Sequence, residues 1–174
     1  MDETIDLFHE AANNGSSDAM YNLATMYTDG IGVEADPAKG RDWLRKAAEN
    51  GHTRARFELG EAYFLGEGVE RDRPRGISWY RKAAEFGHAK AKLKLGLSYY
   101  KGEGVRRDYA RAAELFSQAA SLGNVEARFR LGICSARGRG MERSEQKAVE
   151  FFRRAAEQGH RGAQAELFRR DLSW

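Results

Sequence analysis

The sequence repeats itself. Four copies of a 36-residue pattern begin at Ala19, Ala55, Ala91 and Ala127, with no insertion between them. A fixed period of this size belongs to stacked helical hairpins, each burying its apolar face against the next. No other property of the chain limits its fold as strongly.

Aligned by position, each copy opens on Ala. Leu follows at the fifth place (Leu23, Leu59, Leu95, Leu131) and Tyr at the ninth (Tyr27, Tyr63, Tyr99), where the fourth copy has Ser135. The spacing i, i+4, i+8 puts these on one face of a first helix, A. Ala24, Gly60, Gly96 and Gly132 stand beside the Leu and let a second helix come close. A Gly-x-Gly turn follows each helix A, as at Gly30 and Gly32, where glycine suits a left-handed cap. Asp36, Asp72, Asp108 and Ser144 are the N-cap candidates of the second helix, B. Helix B carries paired apolar positions, such as Trp43/Leu44 and Ala47/Ala48, and ends at Gly51, Gly87, Gly123 and Gly159.

The pattern A-x3-L-G-x2-Y-x2-G-x-G-V-x2-D, followed by K-A-x2-W-Y-x-K-A-A-x-x-G, resembles the Sel-one-like repeat family, relatives of the tetratricopeptide repeat. The resemblance runs over essentially the whole chain. It implies an all-α, right-handed α–α superhelix (a solenoid) of about ten helices. It also implies a scaffold or adaptor, as in bacterial signalling and eukaryotic quality-control complexes.

A single domain is expected over 1–174: a half-unit cap at 1–18, repeats at 19–54, 55–90, 91–126 and 127–162, and a capping helix at 163–174. Residues 2–15 align with a helix B, with Leu7/Phe8 and Ala11/Ala12 at its apolar positions. At the other end Ala163 and Leu167 begin a fifth helix A, with Phe168 expected over the open end. A piece of a longer array is the alternative reading. No apolar run approaches the length of a membrane span, and the acidic start argues against a signal peptide. The only cysteine, Cys134, reads as a small buried thiol, and a reducing, cytoplasmic setting fits.

Charge is uneven. Residues 1–54 hold 5 Lys/Arg against 10 Asp/Glu, and residues 127–174 hold 11 against 6. Head-to-tail self-association, weak and salt-sensitive, is therefore one expectation, with Leu172 and Trp174 as an apolar alternative. Arginines gather in the A–B turns (Arg71, Arg73 and Arg75; Arg106 and Arg107; Arg137, Arg139 and Arg143). They read as a solvated basic edge rather than a nucleic-acid site.

Catalysis, cofactors and metals are not expected. The turn Gly-Glu-Gly-Val lacks the lysine of a phosphate loop. His52, His88 and His160 fall at one repeat position and cannot converge on a metal, and His9 has no ligand at useful spacing. Ser135, Asn124, Met141 and Ser144 depart from the pattern as drift. A hydrolase-like enzyme is the rival class; it would need a convergent polar cluster in the groove, which the repeat alignment does not offer.

The functional signal is a second stripe on helix A, at positions 3, 7 and 10. Its members include Phe57, Glu61 and Phe64; Leu93, Leu97 and Tyr100; and Phe129 and Ile133. By likeness to tetratricopeptide hairpins these positions face a concave groove. A helix apolar on two sides needs a second partner, here a peptide segment or helix of another protein. The competing reading packs the stripe against neighbouring helices.

Overall fold

The structure, a computed structural model, describes residues 3–171. Among them are ten helices: α1 (Glu3–Asn13), α2 (Ser17–Asp29), α3 (Pro37–Glu49), α4 (Thr53–Leu65), α5 (Arg73–Glu85), α6 (Ala89–Lys101), α7 (Tyr109–Ser121), α8 (Val125–Arg137), α9 (Glu145–Ala156) and α10 (Arg161–Phe168). Helices A are α2, α4, α6 and α8, and each pairs with the helix B that follows it. The helices gather into two compact units, one up to Phe86 and one from Gly87.

Local chemistry sets each boundary. Gly30, Gly66, Gly102 and Gly138 all adopt the left-handed conformation, and each donates its N–H to the last turn of helix A. Asp36, Asp72 and Asp108 accept the N–H of Lys39, Arg75 and Arg111 at 3.0 Å, and the Ser144 hydroxyl does the same for Lys147 at 3.2 Å. All four expected caps of helix B are formed, each contributing about 1 kcal/mol.

Helix A is capped by residues that sequence reasoning had only excluded as metal ligands. Nδ1 of His52, His88 and His160 accepts the N–H of Ala55, Ala91 and Ala163 at 3.1, 3.2 and 3.1 Å. Asn124 is not drift: its Oδ1 takes the same bond from Ala127 at 2.9 Å. Accepting through Nδ1 requires the imidazole to carry its proton on Nε2. In His160 that nitrogen lies 2.7 Å from Glu126. Burial pushes the Glu126 carboxyl up, but its bonds to His160 and Arg130 outweigh this and hold it below the usual range.

The space beside the conserved Leu is filled by a ring. A Cβ on Gly60 would meet the Tyr80 ring at 2.7 Å, one on Gly96 the Phe116 ring at 2.7 Å, and one on Gly132 the Phe152 ring at 2.4 Å. In the first hairpin the small residue is Ala24 and its counterpart on α3 is Leu44, a smaller side chain. In the unit ending at Phe86, Leu23, Ala47, Ala55, Leu59 and Trp79 build one core with Ile5 and Ala12 of α1. In the other unit Phe152, Ala155, Ala163 and Leu167 form a core across α9 and α10.

Two expectations at the ends are corrected. Leu7 is 65% exposed, because Ile5, Phe8 and Ala12 take the face of α1 that packs on the core. Phe168 is 76% exposed rather than laid over the end. Leu167 occupies the inward position, and one residue on is a turn of about 100° around the helix. Ser135, at the tyrosine position, is fully buried and donates to the Ser144 carbonyl at 2.9 Å. Cys134 is fully buried, and burial pushes its thiol up to about 11. Leu172 and Trp174 lie outside the described residues.

Candidate functional site

The stripe residues divide between the two units. On α4, Phe57 and Phe64 place their rings 5.9 and 5.7 Å from that of Tyr80. Glu61, between them, accepts a short hydrogen bond from the Tyr80 hydroxyl. Burial first, and then this carboxylate, raise the Tyr80 pKa far above its ordinary value. All three side chains are half-buried, so they flank Gly60 on the face of α4 that meets Tyr80 and keep part of their surface open.

In the other unit Leu93 is buried, at 8% exposure, while Leu97 on the next turn of α6 is half-buried. Tyr100 stands edge-on to Tyr109 at 5.1 Å, and its hydroxyl accepts from Arg139. On α8 the Phe129 ring stacks on His160 at 4.4 Å and leans on Phe152 at 5.8 Å. Ile133 packs on the same core and is also half-buried.

The first repeat carries the stripe differently. Tyr21, Thr25 and Thr28 of α2 occupy positions 3, 7 and 10, and they line an open cleft of about 700 Å³ bounded by α3 and α4. Position 10 is Phe64 in the second repeat and the shorter Thr28 in the first. Repeat spacing places these residues on the stripe, but the polarity of the two threonines gives no sign in the sequence that they line a cleft. The Tyr21 hydroxyl donates to Glu58 at 2.9 Å, and Arg54 donates to the same carboxylate at 2.8 Å. The Tyr21 ring stacks on His52 at 4.3 Å. Burial, then Glu58, push the phenol up to about 12, so it remains a neutral donor. Asp42 and Arg45 pair across 3.1 Å at another wall.

Among the described residues no three His, Cys, Asp or Glu gather as a metal would need, and no described helix is long and apolar enough to cross a membrane.

Four capped hairpins of one length, three of them locked by a ring over a glycine, define a helical-repeat protein. The family model of the Sel1 repeat matches residues 17–52, 53–88, 89–124 and 125–160, and the chain belongs to that family. Its fold is the all-α repeat superhelix. The model phases each unit two residues before the opening Ala, at the first residue of helix A.

Among solved structures, the chain is similar to a protective antigen of uropathogenic Escherichia coli described as displaying an SLR fold. The two are 33% identical with a TM-score of 0.88, over 97% of this chain and 37% of that one. The chain thus spans little more than a third of the antigen. It is also similar to a Sel1 repeat protein from Oxalobacter formigenes (35% identity, TM-score 0.82, 95% of this chain and 67% of that one). A third similarity is to an immunity protein from Pseudomonas aeruginosa (27% identity, TM-score 0.52, 91% of this chain and 59% of that one). No curated protein matches the chain. Sel1 repeat proteins are generally protein-interaction scaffolds and are typically non-catalytic.

Proposed function

We propose that this protein is a non-catalytic interaction module that binds a peptide segment or helix of a partner protein on the concave face of its helices A. The observation that carries the reading is the cleft of about 700 Å³ at Tyr21, Thr25 and Thr28. It sits at the same three repeat positions as the stripe of Phe57, Glu61 and Phe64, of Leu93, Leu97 and Tyr100, and of Phe129 and Ile133, of which all but the buried Leu93 are half-buried. Stacked rings such as Tyr21 and Phe129 are anchors already held in one conformation, so a partner would order them at little further cost.

Selection of peptides from a displayed library on the full chain tests this. A peptide so obtained should lose at least tenfold in affinity for Thr25→Glu or for Leu97→Glu, with helicity and Tm unchanged. If both variants fold and bind every selected peptide as the parent does, binding resides on another surface and the reading fails.

A further inference from the structure

The turn between α4 and α5 differs from every other turn in the chain. Three arginines, Arg71, Arg73 and Arg75, fall within five residues there and line a pocket of about 610 Å³ with Tyr63 and Val69. Glu70 and Asp72 line the same pocket, but among the described residues none of the three guanidiniums is ion-paired. Asp72, between them, has its Oδ1 on the Arg75 N–H at 3.0 Å. Arg73 Nε is buried without a hydrogen-bond partner.

The arginine stems are held in place. Gly66 has a left-handed backbone and lies so close to Arg71 that a Cβ on it would come 2.9 Å from the Arg71 Cβ. The Arg73 guanidinium rests over the Phe64 ring at 5.4 Å, and that of Arg75 over the Tyr63 ring at 4.2 Å. Aromatic faces orient the planar groups without consuming their N–H donors. Two of these features recur elsewhere. Lys39 and Arg111 lie over Tyr27 and Tyr99, and Arg107 and Arg143 stand in the place of Arg71. Arg73 does not recur: its counterparts are Pro37, Tyr109 and Glu145. Arg73 therefore adds a third arginine to the lining of this turn's pocket.

We infer that this turn is a binding site for a single phosphate group. A carboxylate offers two oxygens and satisfies one guanidinium fork. A phosphate dianion offers several acceptors in a tetrahedral array, suited to forks arriving from three directions. The α5 N-terminus adds a favourable dipole at the same place. The arginines lie within one turn, and a pocket of about 610 Å³ leaves room for the residues that flank a phosphate; protein interaction is the habit of the family, so a phosphorylated peptide is the source the site favours. The inference stands apart from the cleft reading, since neither needs the other.

The test is titration of the ¹⁵N-labelled full chain with inorganic phosphate, against chloride at equal ionic strength, followed by arginine Nε–H and backbone signals. Residues 69–75 should shift and saturate, while the turns at 103–111 and 139–147 stay still. Arg73→Tyr, which copies the residue of the third repeat and so should fold, should weaken phosphate at least tenfold with Tm unchanged. A neutral peptide bearing one phosphoserine should bind more tightly than free phosphate, and its unphosphorylated form should not bind. The inference is overturned by non-saturating shifts, by equal shifts in all basic turns, by unchanged affinity in Arg73→Tyr, or by a single-stranded oligonucleotide outcompeting the phosphopeptide through several turns at once.

Discussion

The two units of this protein use one repeat but cross their helices differently. Up to Phe86, helices B carry Gly40 and Gly76 where they meet helix A. A Cβ on Gly76 would lie 2.8 Å from the Gly60 carbonyl oxygen and 2.9 Å from the Phe64 nitrogen. From Gly87 onward the same positions are Ala112 and Ala148, both fully buried and both accommodated. The second hairpin is thus drawn together until backbone touches backbone, whereas the third and fourth leave room for a methyl. Identical spacing in sequence therefore does not mean identical separation in space. What the second, third and fourth hairpins share is the ring over glycine beside the Leu.

The largest expected effect tests that contrast directly. Gly76→Ala should cost about 3 kcal/mol, the upper part of the overpacking range, because the clash is with backbone that cannot rotate away. The measurement is urea unfolding; a cost near zero would mean that the second hairpin is as open as the third. Gly132→Ala should cost about 2 kcal/mol through its contact with Phe152. Adding Phe152→Leu should recover part of the loss, since Ala24 and Leu44 already form this pairing in the first hairpin. A double-mutant cycle should show coupling of about 0.5–3 kcal/mol, and strict additivity would refute the ring-over-glycine account.

The converse change, Ala112→Gly, relieves no strain in the looser hairpin and should cost about 1 kcal/mol through helix propensity alone. The smallest effect concerns the helix A caps, titratable at His52 but not at Asn124. Burial, more than the opposing pull of Asp18 and Glu58, lowers the His52 pKa, and Arg54 adds to the lowering. A histidine whose folded pKa is depressed contributes stability that is present above the unfolded pKa of about 6.5 and is lost as pH falls below it. His52→Asn should therefore leave stability at pH 8 within about 0.5 kcal/mol and flatten the loss between pH 7 and 5. An unchanged acid limb in that variant would place the titration elsewhere.

Nearly all of the architecture was legible, because glycine, aspartate and the alanine–leucine spacing each have one dominant mechanical use. The histidine caps were not. Histidine is an uncommon cap, and Asn124, one of the best N-cap residues, was the substitution that could have revealed them. The stripe on helix A was legible as a pattern but not as a surface. Periodicity shows which way Phe57, Leu93 and Phe129 point, but not how far the Tyr80 and Phe152 rings extend to meet them. The arginines of the second A–B turn were visible as charge, yet the aromatic faces that orient Arg73 and Arg75 come from α4 and emerge only when the hairpin closes.

The ring-over-glycine pairs also set how such chains can be rearranged. Gly60 with Tyr80, Gly96 with Phe116 and Gly132 with Phe152 each lie within one hairpin, so a crossover at the glycine that ends helix B transfers a matched lock and key. A crossover in the Gly-x-Gly turn separates them, and could set Ala24 against a tyrosine or Gly132 against a leucine. The natural module for recombination is thus the hairpin running from the histidine or asparagine cap to the next terminal glycine. Chimaeras joined at that seam inherit complete hairpins, whereas those joined 15 to 20 residues later inherit halves that were never fitted to one another.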